Sequence, residues 1–322
     1  MATKNGTRIE SDVDFRDRIT RIDLPEPVAA LADDYDRHFG ERDRFLWQWI
    51  FSLFPKFTLQ SVPEEHAEHV HAQKTVLTMY VTVLDDLIET HADRRTFEQA
   101  RRLPYDSTAV DPSAAAVDAE QFAFIERLWE TFEDGISGAR RHSEFVDVFE
   151  YDIRQTTNAM EYSGIVNENP CIANINGATN YGAHNMVMFP YADVDLMYSP
   201  GFELSEFGLL RDCLWDLQEM ARIGNWVTTW EREVKEGDYT AGVVVLALQE
   251  GIITPTELNR SETAAIEKIK DLEIEQRFKN RWADRYRALR TREYDTKSVD
   301  LNALVEGMET VFEYHLASRG YK

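Results

Sequence analysis

Apolar and polar positions alternate along this chain with a helical period almost from end to end. Residues 1–25 are polar and charged with few apolar anchors, which predicts a loosely held arm. From Pro27 onward, apolar residues recur every three or four positions over 63–91, 117–136, 143–163, 206–236, 257–290 and 299–318, the period of an amphipathic helix. Breakers such as Pro55, Pro63, Pro104, Pro170 and Gly251 punctuate the pattern. Only the short Val243–Ala247 run looks strand-like, and its neighbours fit a buried helix better. No repeat, low-complexity tract or linker divides the chain. One all-α domain over 26–322 is therefore expected.

Charge bears on partners rather than on fold. The 322 residues include 58 acidic and 35 basic side chains, for a net charge of −23. Nucleic acid and anionic membranes both need basic surface, so neither is expected as a partner. An acidic excess spread over the whole chain suits a soluble protein of a salty cytoplasm, with an ordinary acidic cytosolic protein as the alternative. Cys171 and Cys213 are too few for a disulfide framework or a thiolate metal site. No secretory apolar core stands at the start, and no run of 18 apolar residues predicts membrane insertion.

Two clusters carry candidate chemistry. The apolar helix over 75–84 runs into Asp85-Asp86-Leu87-Ile88-Glu89. Asp85 and Glu89 lie about 40° apart on a helical wheel, with Asp86 adjacent. Converging carboxylates repel one another unless water or a cation intervenes, and Mg²⁺ takes oxygen ligands of this kind. Taken alone, the string fits a solvated helix end better. The second cluster changes that. With Asn225 at zero, Thr229 falls at about 40°, Glu233 at about 80° and Arg232 at about −20°. An amide oxygen, a hydroxyl and a carboxylate share one stripe beside a permanent cation.

In these residues the sequence resembles the class I terpene synthases, especially the microbial single-domain type. That family pairs D-D-x-x-D/E with N-x-x-x-S/T-x-x-x-E, the latter followed by Gly-Asp and an apolar run. Here Gly237-Asp238 and Val243-Val244-Val245 follow the second motif, and the two motifs start 140 positions apart. Ser318-Arg319-Gly320-Tyr321 is similar to the family's terminal Arg-Tyr pair, split by a glycine.

The resemblance implies a helical bundle with a central apolar cavity and two helices facing each other across its mouth. It implies three Mg²⁺ ions, with Mn²⁺ a possible substitute, bound with a linear prenyl diphosphate of fifteen or twenty carbons. Asp85 would be the chief ligand, supported by Asp86 and Glu89. Asn225, Thr229 and Glu233 would chelate one ion, and Arg232, Arg319 and Tyr321 would grip the diphosphate. The activity implied is a carbon–oxygen lyase releasing a terpene, and family members are often homodimers. Trp226, Trp230, Tyr80 and Trp215 are candidate aromatic faces for a carbocation, or ordinary core.

Three departures stand out. Trp226 follows the motif asparagine where Asp is usual, and Arg232 replaces Lys. The family's diphosphate-sensing arginine would fall near position 179, yet residues 155–210 contain no Lys or Arg. The stretch 176–184 reads as a glycine-interrupted helix, in which Asn176, Asn180 or His184 could donate instead; Arg222 is another possibility. Glu68 and His71 form a single E-x-x-H, whereas a di-iron bundle needs two. Two rivals remain open: a prenyl-coupling transferase, against which the Asn225 stripe argues, and a non-catalytic isoprenoid-binding descendant.

Overall fold

The computed structural model describes residues 12–321, and every regular element among them is helical. The α-helices run in order α1 (Asp12–Thr20), α2 (Val28–His38), α3 (Arg44–Phe57), α4 (Glu64–Glu89), α5 (Arg94–Ala100), α6 (Ala119–Ser137), α7 (His142–Glu168), α8 (Ile175–Asn180) and α9 (Met188–Met197). There follow α10 (Phe207–Glu236), α11 (Gly242–Gln249), α12 (Pro255–Arg260), α13 (Glu262–Asp271), α14 (Ile274–Arg290) and α15 (Leu301–Ala317). Among the described residues no helix is long and apolar enough to cross a membrane.

The bundle forms around α4. Its stretch from Val70 to Leu87 is buried on nearly every face, because a helix that is apolar all round needs neighbours on all sides. Those neighbours are α3, α6 and α7. On the other side of the molecule α10 packs on α14 and α15, and α15 returns to α3. Local signals set the starts: Asp43, Asp118 and Asp300 accept backbone N–H groups at the N-termini of α3, α6 and α15.

A buried ion pair ties three helices together below the centre. Lys74 of α4 meets Asp195 of α9 at 2.5 Å, and both side chains are fully enclosed. The same lysine donates to Thr58 Oγ1 just past α3, and Asp195 accepts from the Leu59 N–H. Each charge is thereby paired and hydrogen-bonded, the condition for burying it.

Two expectations change. Residues 12–20 of the stretch read as an arm form α1, where Phe15 and Ile19, four positions apart, bury one face against α3. Gln48 of α3 donates to the carbonyls of Thr20 and Ile22, which holds the segment that follows. Residues 1–11 of that arm lie outside the described residues. The helix expected over 257–290 is three helices. Ser261 caps α13 by accepting the Ala264 N–H, and Glu273 turns left-handed (φ 51°) before α14. Neither residue is a strong breaker by type. Pro55, conversely, sits inside α3.

Candidate active site

The two motif stripes line one cavity. Asp85 and Glu89 stand on the last two turns of α4, and Asn225, Thr229, Arg232 and Glu233 on the second half of α10. All six border a cavity of about 230 Å³. Asp238 joins them because Gly237 ends α10 in the left-handed conformation (φ 85°), which glycine adopts without strain. The Asp238 N–H returns to the Glu233 carbonyl at 2.8 Å, setting the two carboxylates side by side. Away from this polar end the walls are apolar, formed by Trp49, Leu53, Phe54 and Phe57 of α3 with Val81 and Met188.

The crowding shows in the acidities. Burial, then the neighbouring Asp86 charge, pushes Asp85 up to about 6, with Arg222 and Arg42 pulling the other way. Burial and Asp238 push Glu233 up to about 7, opposed by Arg222 and by the Thr229 hydroxyl. Glu89 is raised well above its ordinary value by burial and then by Asp238, Asp85 and Glu233. These carboxylates give up their protons less readily because too much negative charge is gathered in too little water. A hard divalent cation relieves the same crowding, and the donors here are all oxygen: carboxylates, an amide and a hydroxyl. Among the described residues no three His, Cys, Asp or Glu side chains converge into a preformed metal cage. The stripes fit a metal that reaches each helix in part and completes its shell with water or an anion, as Mg²⁺ does.

Three arginines border the acidic end: Arg42, Arg222 and Arg232. Arg222 is 6% exposed, donates to Asn225 Oδ1 at 3.3 Å and leaves its Nε without a partner. Its charge opposes the upward pKa shifts of Asp85, Glu89 and Glu233. Arg42, from the loop before α3, is held by Asp86 through both Nε and Nη2. Asp86 also accepts from the Tyr35 hydroxyl at 3.3 Å. Asp86 is 1% exposed and does not line the cavity. Expected among the metal residues, it tethers an arginine instead. Adjacent residues on a helix point about 100° apart, so Asp85 and Asp86 face different neighbours.

The chain's last residues depart from expectation in the same way. Arg319 pairs with Glu275 of α14 at 2.9 Å and Glu231 of α10 at 2.5 Å, on the outer side of α10. Tyr321 packs edge-on against Phe45 under the Arg16 guanidinium. Neither lines the cavity. Arg232 does, but its guanidinium bonds Glu236.

The helix break near position 179 is present and lies close to the site. A 3-10 turn over Gly182–Met186 follows α8, and Val187 turns left-handed (φ 58°, ψ 15°) to start α9. Such a conformation costs a β-branched residue energy and is rare outside functional segments. Asn185 of this turn donates to Asp85 Oδ1 at 3.2 Å. Asn176 and Asn180 are exposed, and His184 turns to Gln218 and Trp215. The expected donor is one residue further on. Of the expected aromatics, Trp226 packs on Phe278, Trp230 donates to Glu275, Tyr80 donates to the Ala100 carbonyl, and Trp215 is 48% exposed. The aromatic walls come from α3 and from Tyr191. The α3 sequence Trp-Gln-Trp-Ile-Phe-Ser-Leu-Phe carries that signal, and the proline at 55 hides it.

No protein-family profile matches this chain, and no curated protein matches its sequence significantly.

Proposed function

We propose that this protein is a Mg²⁺-dependent class I terpene synthase that ionises a linear prenyl diphosphate of fifteen or twenty carbons. One observation carries the reading. Asp85 and Glu89 on one helix, and Asn225, Thr229 and Glu233 on another, line a single cavity whose opposite end is largely apolar and aromatic. Oxygen donors for a hard cation and a hydrocarbon-sized apolar space share one enclosure.

The five residues would hold the metal ions, which supply positive charge to the diphosphate as its bond to carbon breaks. Arg222 and Arg232 bind the diphosphate oxygens and neutralise the charge that grows on them. Arg42, kept at the rim by Asp86, adds a third cation. Asn185 orients Asp85 by donating to one of its oxygens, so the break at Val187 is coupled to the acidic end. Trp49, Phe54 and Phe57 present ring faces to the hydrocarbon and attract positive charge developing on it. The apolar walls keep bulk water from the cation.

The test uses purified protein with Mg²⁺ and prenyl diphosphates of ten, fifteen and twenty carbons. Diphosphate release and extracted products are followed by a phosphate assay and by gas chromatography. Release with at least one substrate is expected, and Asp85→Ala or Asn225→Ala should abolish it while helical circular dichroism persists. No release with any substrate, at low and at high salt, sinks the enzyme reading. One observation favours a second reading, a non-catalytic isoprenoid-binding protein: Arg319 and Tyr321 stand outside the cavity. Saturable binding of a prenyl diphosphate without diphosphate release would select it.

A further inference from the structure

The apolar part of the cavity is interrupted by three hydroxyls on one side. Thr78 and Thr82 project from α4 on the face that also carries Asp85 and Glu89, and Tyr191 reaches in from α9. Seven residues separate Thr78 from Asp85, so Thr78 lies about 10 Å down the helix axis, two turns below the acidic end. Its hydroxyl donates to the Lys74 carbonyl at 2.7 Å and sits 2.6 Å from the Tyr191 hydroxyl. With the threonine proton committed to the carbonyl, the tyrosine must be the donor in that contact. Its own oxygen keeps lone pairs with which to accept a further hydrogen bond. Tyr191 is packed against Phe54 and Phe57, which fixes where that oxygen sits. Thr82, one turn above, lines the same cavity. A water needs two or more polar partners to be held in a cavity, and this wall offers them beside an otherwise apolar space.

We infer that the Tyr191–Thr78–Thr82 wall holds a water against the hydrocarbon part of the ligand, and that the product is a terpene alcohol. The inference rests on the ionisation proposed above. Once the allylic C–O bond has broken, with its electron pair on the diphosphate, the water oxygen gives a lone pair to the cationic carbon. A new C–O bond forms. The extra proton on that oxygen passes to the released diphosphate, the strongest base that the reaction makes. Prenyl diphosphate and water are consumed, and alcohol and hydrogen diphosphate are formed. A purely structural hydroxyl pair would brace α4 against α9 and leave Thr82 irrelevant to the product.

The experiment runs the full chain with Mg²⁺ and the prenyl diphosphates in ¹⁸O-labelled water, with products counted per diphosphate released. Wild type should yield an alcohol carrying the label. Tyr191→Phe and Thr82→Val should each lower the alcohol-to-hydrocarbon ratio about tenfold, as expected for losing one of the hydrogen bonds that hold the water. High-resolution diffraction from metal-free crystals should show a water within hydrogen-bond distance of Tyr191 Oη and Thr82 Oγ1. Unlabelled alcohol, hydrocarbon alone from wild type, unchanged ratios in both variants, or a dry wall would overturn the inference and leave the ionisation intact. Absence of diphosphate release from wild type would remove both.

Discussion

At the scale of single residues, the site depends on side chains whose aim is set by neighbours distant in sequence. Asp85 and Asp86 are consecutive, yet one borders the cavity and the other binds Arg42. Val187 is the most constrained of these residues, a β-branched side chain in left-handed backbone beside the donor to Asp85. Replacing it by glycine removes strain of roughly 1–3 kcal/mol and loses buried methyls worth about 1.5–3 kcal/mol. Val187→Gly should therefore leave the melting temperature nearly unchanged. A fall as large as that of an ordinary buried valine truncation would show that the conformation carries no strain. The five oxygen donors were legible in the sequence because each set lies on one helical face, and helical spacing is local information. Arg42, Asn185 and the direction of Arg319 were not, since Asp86, Asp85 and Glu275 meet them through the fold alone.

At the scale of elements, long periodic stretches such as those of α4, α7 and α10 could be read before any coordinates. The divisions at Ser261 and Glu273, and the continuation through Pro55, could not, because packing decided them against residue type. The Lys74–Asp195 pair is another feature that no pattern reveals, and it holds α3, α4 and α9 in register. Lys74→Met should cost about 3–5 kcal/mol, because Asp195 is left as an uncompensated buried charge. The double replacement Lys74→Met with Asp195→Asn should recover most of that loss, as measured by denaturant unfolding. The pair also predicts a pH dependence. Burial pushes Asp195 up to about 6 against the opposing pull of Lys74, above the ~3.9 of an unfolded aspartate. The folded state therefore binds the proton more tightly. This contribution to stability is fully present below about pH 4 and is lost as pH rises through about 6. The double variant should lose less stability than wild type across that window, and an equal slope would remove Asp195 as its source.

At the scale of the whole molecule, a net charge of −23 sets the energetics of compaction. Acidic groups outnumber basic ones by far, so like-charge repulsion outweighs the attraction in the surface ion pairs. Screening shortens from about 10 Å at 0.1 M salt to about 3 Å at 1 M. The melting temperature should climb between 0.1 M and 2 M KCl, and a flat or falling curve would show that the surface pairs dominate. Mg²⁺ with inorganic diphosphate should stabilise the fold further at fixed salt, by about 2.7 kcal/mol for each site filled at a hundredfold above its dissociation constant. No effect of the two ligands together would place the metal site elsewhere.

The outward-turned Arg319 gives this salt dependence a local consequence. Its guanidinium is 38% exposed and is gripped by two carboxylates from different helices, whereas the Asp86 carboxylate that holds Arg42 is sealed from water. Brine weakens the first contact and spares the second. The surrounding ionic strength thus acts as a selective solvent for one fastening: in concentrated salt the Arg319 side chain lets go of α10 and α14, while the rim arginine stays moored.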